Sequence, residues 1–379
     1  MIYLDNAATT MPYPEVIDVM VKSMNEQWGN PSAQYEFGDI SRQVIENVRE
    51  QIAKDINASP DEIIFTSGAS ESNSLAICGY LDRNKDAELW TTNLEHASIK
   101  KIVDEKYTNA HILRNDKFGF VNIDRDVEHF ASICSSFSKS KHLFSVGAAN
   151  GEIGTIQNVQ EIGLKIHELG GVFHTDATQL FPERRIDVQE LNIDMMSVSS
   201  QKLHGPKGVG FLYVKNGVEL NPIIYGSQEN GMRGGTYNTP AIAGMGKALE
   251  MTRSSDSTSC VSEMRNSLLH KLLQISGVSL NGAEPGQSRL ANNISICIDG
   301  VSAEMLVTLC SLNGVYISKG SACQSYEKTP SHVLKAIGLT DENAFNTIRI
   351  TLDASNTKSQ IENAMSIIIR LIERIREDV

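Results

Sequence analysis

The stretch at residues 197–210, SVSSQKLHGPKGVG, places one lysine, Lys202, between two apolar segments. The segment at residues 194–199 predicts a short buried strand that runs into a serine-rich turn. After a Gly/Pro-rich loop, residues 209–214 predict a second strand. A lysine at the end of a buried strand, among small hydroxyl side chains, lies where a carbonyl compound can reach its amine. Most lysines are solvated surface charges, so a catalytic role needs a second motif to support it.

That second motif lies at residues 171–179, GVFHTDATQ, where a predicted strand ends at Asp176. In an open parallel sheet the carboxyl ends of the strands line the ligand crevice, so we expect Asp176 and Lys202 to converge there. Pyridoxal phosphate requires this pair, because a lysine binds its aldehyde and a carboxylate keeps its ring nitrogen protonated. The sequence therefore predicts a pyridoxal phosphate site.

The composition describes an acidic chain of ordinary hydrophobicity. A net charge of -12 over 379 residues argues against nucleic-acid binding as the main function. The first residues lack the basic and apolar segments of a signal peptide, and no apolar run is long enough to span a bilayer, which predicts a cytoplasmic protein without membrane contact. The six cysteines show neither a CxxC pair nor zinc spacing, so we expect reduced thiols.

Predicted strands alternate with predicted helices through the first half of the chain. This order indicates an α/β fold with a mostly parallel sheet wrapped on both faces. The polar stretch at residues 254–259 is linker-like, and the helix–strand–strand–helix pattern after it predicts a smaller α+β domain. We therefore predict a large domain at residues 15–256 and a small domain formed by residues 1–14 and 257–379.

Three further motifs are ambiguous on local sequence alone. Residues 67–72 turn from a strand into a helix, an arrangement that binds phosphate but that also serves as a plain helix cap. His96 follows another predicted strand, although a lone histidine is more often structural. Cys323, in the run of small residues at 318–325, is either an accessible reactive thiol or an incidental exposed one.

Together these motifs resemble those of the cysteine desulfurases, a group of the class V, fold-type I pyridoxal phosphate enzymes. Beyond the lysine and aspartate motifs, residues 68–72 (GASES) resemble the family's phosphate-binding turn. Residues 231–236 (GMRGGT) resemble the segment whose threonine reaches the phosphate of the partner subunit's cofactor. Residues 320–323 (GSAC) resemble the persulfide-cysteine motif. The resemblance covers nearly the whole chain and implies the fold-type I transferase fold, with a seven-stranded sheet in the large domain.

The resemblance also implies a role for each matching residue. Lys202 and Asp176 hold pyridoxal phosphate, and His96 stacks on its ring and moves protons. Arg349 binds the substrate α-carboxylate, and Cys323, on a loop expected to be mobile, carries the persulfide. Further cofactor contacts are implied for Ala69, Ser70, Gln179, Ser199, Gln201 and Thr236, and a substrate contact for Asn150. No metal site is predicted, apart from transient iron–sulfur ligation by Cys323.

The implied activity is that of a homodimer that removes sulfur from L-cysteine, releases L-alanine and passes the sulfur to an acceptor protein. The acceptor is expected to be an iron–sulfur scaffold or a tRNA-thiolation enzyme. Two alternatives stay open. Another class V enzyme, such as an aminotransferase or a selenocysteine lyase, would not depend on Cys323, and a weakly active or non-catalytic homologue would serve as a binding partner.

Two departures from the family pattern favour the non-catalytic alternative. Where the family usually has Asn-Asn-Glu-x-Gly, residues 150–154 read NGEIG, so Gly151 lacks an amide whose hydrogen bond is typically worth ~1 kcal/mol. Where the family usually has a histidine before the lysine, this chain has Gln201, which donates hydrogen bonds but carries no charge. Both changes are expected to tune the cofactor.

Overall fold

The computed structural model describes residues 1–123, 142–255, 258–320 and 329–377. Its helices are α1 (Pro14–Glu26), α2 (Glu36–Asp55), α3 (Ala69–Ser74), α4 (Tyr80–Arg83), α5 (Ala97–Lys106), α6 (Val159–Glu168), α7 (Thr239–Ser254), α8 (Thr258–Leu272), α9 (Ala303–Leu312), α10 (His332–Ala336), α11 (Asp341–Phe345) and α12 (Lys358–Glu377). Its strands are β1 (Ile2–Tyr3), β2 (Ile63–Thr66), β3 (Leu89–Thr92), β4 (His111–Leu113), β5 (Leu143–Ser145), β6 (Val172–Asp176), β7 (Met195–Ser199), β8 (Gly210–Val214), β9 (Val278–Leu280), β10 (Asn293–Ile298), β11 (Val315–Tyr316) and β12 (Thr347–Thr351). None of these helices combines the length and apolar character needed to cross a membrane.

The largest sheet has seven strands in the order β2-β8-β7-β6-β5-β3-β4. β8 runs antiparallel to both of its neighbours, and the pairs among β7, β6, β5, β3 and β4 are parallel. This arrangement confirms the predicted α/β fold with a mostly parallel seven-stranded sheet.

The two faces of this sheet are both covered, because its central strands are apolar on both sides. Successive side chains of a strand point to opposite faces, and β7 shows the consequence: Met195 joins one hydrophobic cluster, whereas Met196 and Val198 join another. All five residues of β7 are buried. The strand that leads to Lys202 therefore lies in the interior, as the sequence predicts.

A second hydrophobic core surrounds a three-stranded antiparallel sheet in the order β12-β10-β9. Helices α8, α9 and α12 pack on this core, and Ile2 and Leu4 at the amino terminus belong to it as well. The amino-terminal strand β1 pairs in parallel with β11. This part of the chain has the predicted α+β character, and the boundaries proposed for the two domains stay predictions.

The amino-terminal segment also connects the two cores, at the loop that carries Lys202. Thr10 donates hydrogen bonds from its backbone and its hydroxyl to the Gln201 carbonyl, both at 3.0 Å. The backbone amide of His204 donates to the Thr10 hydroxyl at 2.8 Å. At its other end, the segment binds β12, where the Ala7 amide donates to the Thr351 hydroxyl at 2.9 Å. The loop after β7 is thus fixed relative to the antiparallel sheet.

An ion pair between His204 and Asp353 strengthens this connection. His204 Nε2 lies 2.9 Å from a carboxylate oxygen of Asp353, and its Nδ1 lies 2.8 Å from the Met11 carbonyl. Burial opposes the charged imidazole, but the hydrogen bond and charge of Asp353 outweigh it and raise the pKa of His204. Burial likewise opposes the Asp353 carboxylate, yet His204 lowers the pKa of Asp353 to about 2. Both ring nitrogens face acceptors, so the imidazolium is the form that fits.

We predict that Asp353→Asn destabilises the protein most in mildly acidic solution. The raised pKa of His204 stabilises the folded state below about pH 6.5, and this stabilisation is lost as the pH rises through the pKa that His204 has in the folded protein. The lowered pKa of Asp353 stabilises the folded state above about pH 4. The melting temperature should fall by about 3 °C at pH 5.5 and by less than about 1 °C at pH 9. Asp18→Asn, on the exposed face of α1, is the control. An equal fall in melting temperature at both pH values would contradict this account.

Candidate active site

The carboxyl ends of β2, β3, β5, β6 and β7 meet at one edge of the large sheet, around a cavity of about 350 Å³. Ligand crevices of open α/β sheets lie at this edge. Ten of the residues predicted from sequence line the cavity: Ala69, Ser70, His96, Asn150, Asp176, Gln179, Ser199, Gln201, Lys202 and Arg349. Residues from both hydrophobic cores therefore contribute to a single site.

Lys202 lies at the end of a short 3-10 turn, Ser200–Lys202, that follows β7 directly. Its Nζ donates hydrogen bonds to the carbonyl oxygens of Ala7 and Ala8, at 2.7 Å and 2.5 Å. Both alanines also line the cavity. The amine is thereby held at the cavity wall by the amino-terminal segment.

Asp176, the last residue of β6, presents its carboxylate to the same cavity. Asn73 Nδ2 donates to Oδ2 at 2.8 Å, and the Thr178 backbone amide donates to Oδ1 at 3.0 Å. These two donors fix the orientation of the carboxylate. Sequence reasoning missed Asn73, although it follows directly after the GASES motif on α3.

The phosphate-binding turn predicted at residues 68–72 forms the start of α3. Gly68 has a φ of 146°, a conformation that favours glycine, and Gly68, Ala69 and Ser70 line the cavity with Ser199. The Glu71 side chain accepts a hydrogen bond from the Ser67 amide at 2.9 Å. Backbone amides at such a strand–turn–helix junction bind phosphate.

Arg349 supplies a cation at the cavity wall. Its side chain is buried, and its Nη2 lies 2.8 Å from an Asp5 carboxylate oxygen. Nη1 donates to the Gly151 carbonyl at 3.3 Å, and Nε has no hydrogen-bond partner among the described residues. The Asn150 side chain donates a hydrogen bond to the Leu94 carbonyl at 2.8 Å and accepts one from the Glu152 amide at 2.8 Å.

His96 caps the start of α5, and its Nδ1 lies 2.9 Å from the Ser98 hydroxyl. Beside it, Glu95 accepts hydrogen bonds from Thr92 and from the Gly147 amide, and burial raises the pKa of Glu95 to about 7. His332, at the start of α10, donates from Nε2 to the Glu95 carbonyl at 2.9 Å, and burial lowers its pKa. Glu95 and His332 line the cavity but no motif in the sequence indicated them.

The donor set of this cavity fits pyridoxal phosphate. A primary amine and a carboxylate lie on its wall, a strand–turn–helix junction provides amides for a phosphate, and an imidazole stands at the start of α5. Two buried polar atoms on the wall, Thr178 Oγ1 and Arg349 Nε, have no hydrogen-bond partner in the described part of the chain. The volume is in the range typical of cofactor and ligand sites, roughly 300–1,000 Å³.

Two predicted site residues are not part of this cavity as described. Thr236 is exposed and lines a separate, smaller cavity that shares Ser67 and Gly208 with the first. Its segment is attached to the turn at residues 68–72 by the Arg233–Glu71 ion pair at 2.8 Å. Cys323 lies outside the described residues.

Comparison with known proteins identifies the family. Residues 2–364 match the family model described as Aminotransferase class-V. The chain belongs to the class V aminotransferase family. It is 37% identical to the cysteine desulfurase IscS of Clostridium botulinum, over 99% of this chain and 95% of that protein. A NifS-like protein from Rickettsia africae has 28% identity and a TM-score of 0.88, covering 99% of both chains.

A solved structure titled SspA in complex with cysteine is also similar, with 33% identity and a TM-score of 0.80 over 94% of this chain and all of that one. These similarities confirm the resemblance to the cysteine desulfurases that the sequence motifs indicated. The family is pyridoxal phosphate-dependent, which confirms the predicted cofactor.

The Gln179 side chain packs against Gly151, the glycine that stands where the family usually has an asparagine. Gly151 does not have a positive φ, so its backbone does not require glycine. A Cβ at this position would lie 2.7 Å from both Cδ and Nε2 of Gln179, so the Gln179 side chain would have to shift. Gln179 Nε2 donates to the Ala7 carbonyl at 3.1 Å, the same oxygen that accepts from Lys202. Gly151 therefore leaves room for a glutamine that supports the lysine's hydrogen-bond partner.

We predict that Gly151→Ala lowers stability and cofactor affinity by displacing Gln179. Because Gln179 is a flexible side chain, we expect the lower end of the usual overpacking cost, about 1 kcal/mol, which corresponds to roughly a fivefold loss of affinity if it falls on the bound state. The measurements are the melting temperature and the pyridoxal phosphate dissociation constant. In a Gln179→Ala background the same substitution should cost almost nothing, because the opposing side chain is gone. A cost that is unchanged in that background would show that the clash is not the cause.

Proposed function

We propose that this chain is a pyridoxal phosphate-dependent cysteine desulfurase that converts L-cysteine to L-alanine and retains the sulfur as a persulfide on Cys323. One observation carries the proposal: the amine of Lys202, the carboxylate of Asp176 and the guanidinium of Arg349 line one cavity. The chain is similar along its whole length to proteins named cysteine desulfurase, and a similar chain was solved with cysteine.

Each charged group has a defined task in this reaction. When bound, pyridoxal phosphate supplies an electron sink for bond breaking at the α-carbon of an amino acid. Lys202 holds the cofactor's aldehyde carbon, and Asp176 keeps its ring nitrogen protonated. The turn at residues 68–70 holds the phosphate, with Ser199 and Gln201 beside it. Arg349 binds the α-carboxylate of cysteine, since a planar guanidinium matches a carboxylate in a bidentate manner.

Proton and sulfur transfer are assigned to His96 and Cys323. His96, at the cavity wall, moves the proton that leaves and later returns to the substrate. The Cys323 thiolate attacks the sulfur of the bound cysteine, so that an S–S bond forms as the substrate's C–S bond breaks. The electron pair of the broken bond goes to the substrate carbon, which takes up a proton and leaves as the methyl group of alanine. The outer persulfide sulfur then passes to an acceptor thiol.

We assign the acceptor to the chemical class of iron–sulfur scaffolds and tRNA-thiolation enzymes, with Cys323 as a transient iron–sulfur ligand during delivery. A reducing compartment suits this chemistry, because the thiol must be regenerated as a free thiolate. Cys78, Cys260, Cys297 and Cys310 are free thiols in the structure, in keeping with a cytoplasmic location.

We further propose that the active form is a homodimer. Large apolar side chains are exposed on and after α1 and at the start of α2, and they include Ile17, Val21, Met24, Trp28, Phe37 and Ile40. An exposed apolar patch of this kind marks an interaction surface. Thr236 is exposed next to the phosphate-binding turn without reaching its own cavity, a position from which it can contact the cofactor phosphate of a second copy.

We predict that Cys323→Ala abolishes desulfuration while leaving the cofactor bound. The thiolate that accepts the sulfur is absent, so alanine and sulfide production from cysteine and a reductant should fall at least 100-fold, and the visible absorbance of the cofactor should persist. Alanine and sulfide are quantified together, since desulfuration yields both in equal amounts. Cys260→Ala removes an exposed thiol elsewhere and should retain activity. Full activity in Cys323→Ala would instead support a lyase that does not depend on this thiol, such as a selenocysteine lyase, whereas wild-type protein that consumes cysteine without releasing alanine or sulfide would support an aminotransferase.

A further inference from the structure

Asn73 is a fully buried asparagine inside helix α3, the helix that begins at the turn of residues 68–72. Asparagine is a poor helix former, and a buried amide costs free energy unless it finds hydrogen-bond partners. The side chain of Asn73 finds them outside its own helix. Its amide nitrogen donates to side chains of β6 and of α5. The position of Asn73 therefore joins three elements next to the active-site cavity.

These hydrogen bonds form a continuous network from Asp176 to His96. Asn73 Nδ2 donates to Asp176 Oδ2 at 2.8 Å and to Ser98 Oγ at 3.0 Å. The Ser98 hydroxyl lies 2.9 Å from His96 Nδ1, and the Ser98 backbone amide donates to the same nitrogen at 3.2 Å. Asp176 and His96, at the two ends of the network, both line the cavity. One buried amide thus connects the two side chains.

The orientation of this amide follows from its partners. An ionised carboxylate only accepts hydrogen bonds, so the NH₂ group of Asn73 must be the side that faces Asp176. An NH₂ group has two hydrogens, and the bonds to Asp176 and Ser98 use both. The oxygen of the same amide, Asn73 Oδ1, has no hydrogen-bond partner in the part of the chain that the structure describes. Donation is therefore the role of this side chain in the network.

The two ends of the network gain different things from it. At Asp176, Asn73 is one of two donors, with the Thr178 backbone amide as the other. Donors stabilise the ionised carboxylate, which is the form that keeps the cofactor's ring nitrogen protonated. His96 is an exposed residue, and an exposed side chain samples several rotamers unless contacts hold it. The Ser98 contacts hold the imidazole by its Nδ1 edge.

We propose that Asn73 is a positioning residue with two targets. It stabilises the Asp176 carboxylate directly, and it orients the His96 imidazole through the Ser98 hydroxyl. The inference rests on the proposed function, because it takes Asp176 and His96 to act on the cofactor and the substrate. Asn73 is not among the residues that line the described cavity, so it acts through these two side chains.

The test separates the two targets with variants of Asn73 and Ser98. Asn73→Ala removes both donors, Ser98→Ala removes only the hydroxyl, and Ser98→Thr retains a hydroxyl. Three quantities are measured: the pyridoxal phosphate dissociation constant, the NMR signal of the ring nitrogen of isotope-labelled cofactor in the holoenzyme, and the rate at which L-alanine exchanges its α-proton in heavy water at saturating cofactor. Asn47→Ala, at an exposed position of α2 where Asn47 contacts only Gln43 among the hydrogen bonds described, is the control.

The two sets of variants should differ in what they change. Asn73→Ala should weaken cofactor binding about tenfold, move the ring-nitrogen signal towards that of unprotonated pyridine and slow the α-proton exchange about tenfold. Ser98→Ala should leave cofactor binding within about twofold of wild type and the ring-nitrogen signal in place, yet slow the exchange about fivefold. Ser98→Thr should exchange at close to the wild-type rate. The double variant Asn73→Ala/Ser98→Ala should exchange no more slowly than Asn73→Ala, because the network is already interrupted.

Several results would overturn the proposal. An unchanged ring-nitrogen signal in Asn73→Ala would show that Asn73 does not act on Asp176. Wild-type exchange in Ser98→Ala, or equally slow exchange in Ser98→Thr, would show that the hydroxyl does not orient His96, and this arm decides even if melting temperatures reveal that Asn73→Ala does not fold. Because no cysteine is used, a protein that behaves as predicted here but makes no alanine from cysteine refutes only the desulfurase proposal. A wild-type protein that binds no pyridoxal phosphate refutes the proposed function and this inference with it.

Discussion

The hydrogen bonds from the Lys202 amine to the Ala7 and Ala8 carbonyls connect the parts of this molecule that must act together. The lysine follows a strand of the seven-stranded sheet, whereas the alanines belong to a segment that begins in the other core. Two residues before Ala7, Asp5 pairs with Arg349 on the antiparallel sheet. A short piece of backbone thus connects the Lys202 amine with the Arg349 guanidinium.

This arrangement explains why the departures from the family pattern are compatible with a functional site. Gln179 packs against Gly151 and donates to the same Ala7 carbonyl as the lysine. The backbone carbonyl of Gln201 accepts the two hydrogen bonds from Thr10, and this interaction does not depend on the Gln201 side chain. The chain therefore supports the lysine through its backbone and through Gln179, and neither contact needs the asparagine or the histidine that relatives have.

The sequence predicts the sheet and the main charged residues because these have local signals. β7 is a short apolar run, and Asp176 and Lys202 each stand at the end of such a run. Residues whose role depends on burial or on distant partners could not be predicted. Arg349 was predicted, but its pairing with Asp5, 344 positions away, was not. The carboxyls of Glu95 and Glu152 look like ordinary surface acids until their burial is known. The sequence showed Gly151 as a departure from the family pattern, but the contact between Gly151 and the Gln179 side chain could be seen only in the structure.

The central claim is that Lys202, which lines one cavity with Asp176, holds the cofactor. The direct measurement is reduction of the protein with borohydride in the presence of pyridoxal phosphate, followed by mass spectrometry of its peptides. The account predicts a yellow protein that bleaches on reduction, with the phosphopyridoxyl mass on the peptide that contains Lys202 and on none in Lys202→Ala. A label on Lys207 or another lysine, or a wild-type protein that takes up no label, would contradict it.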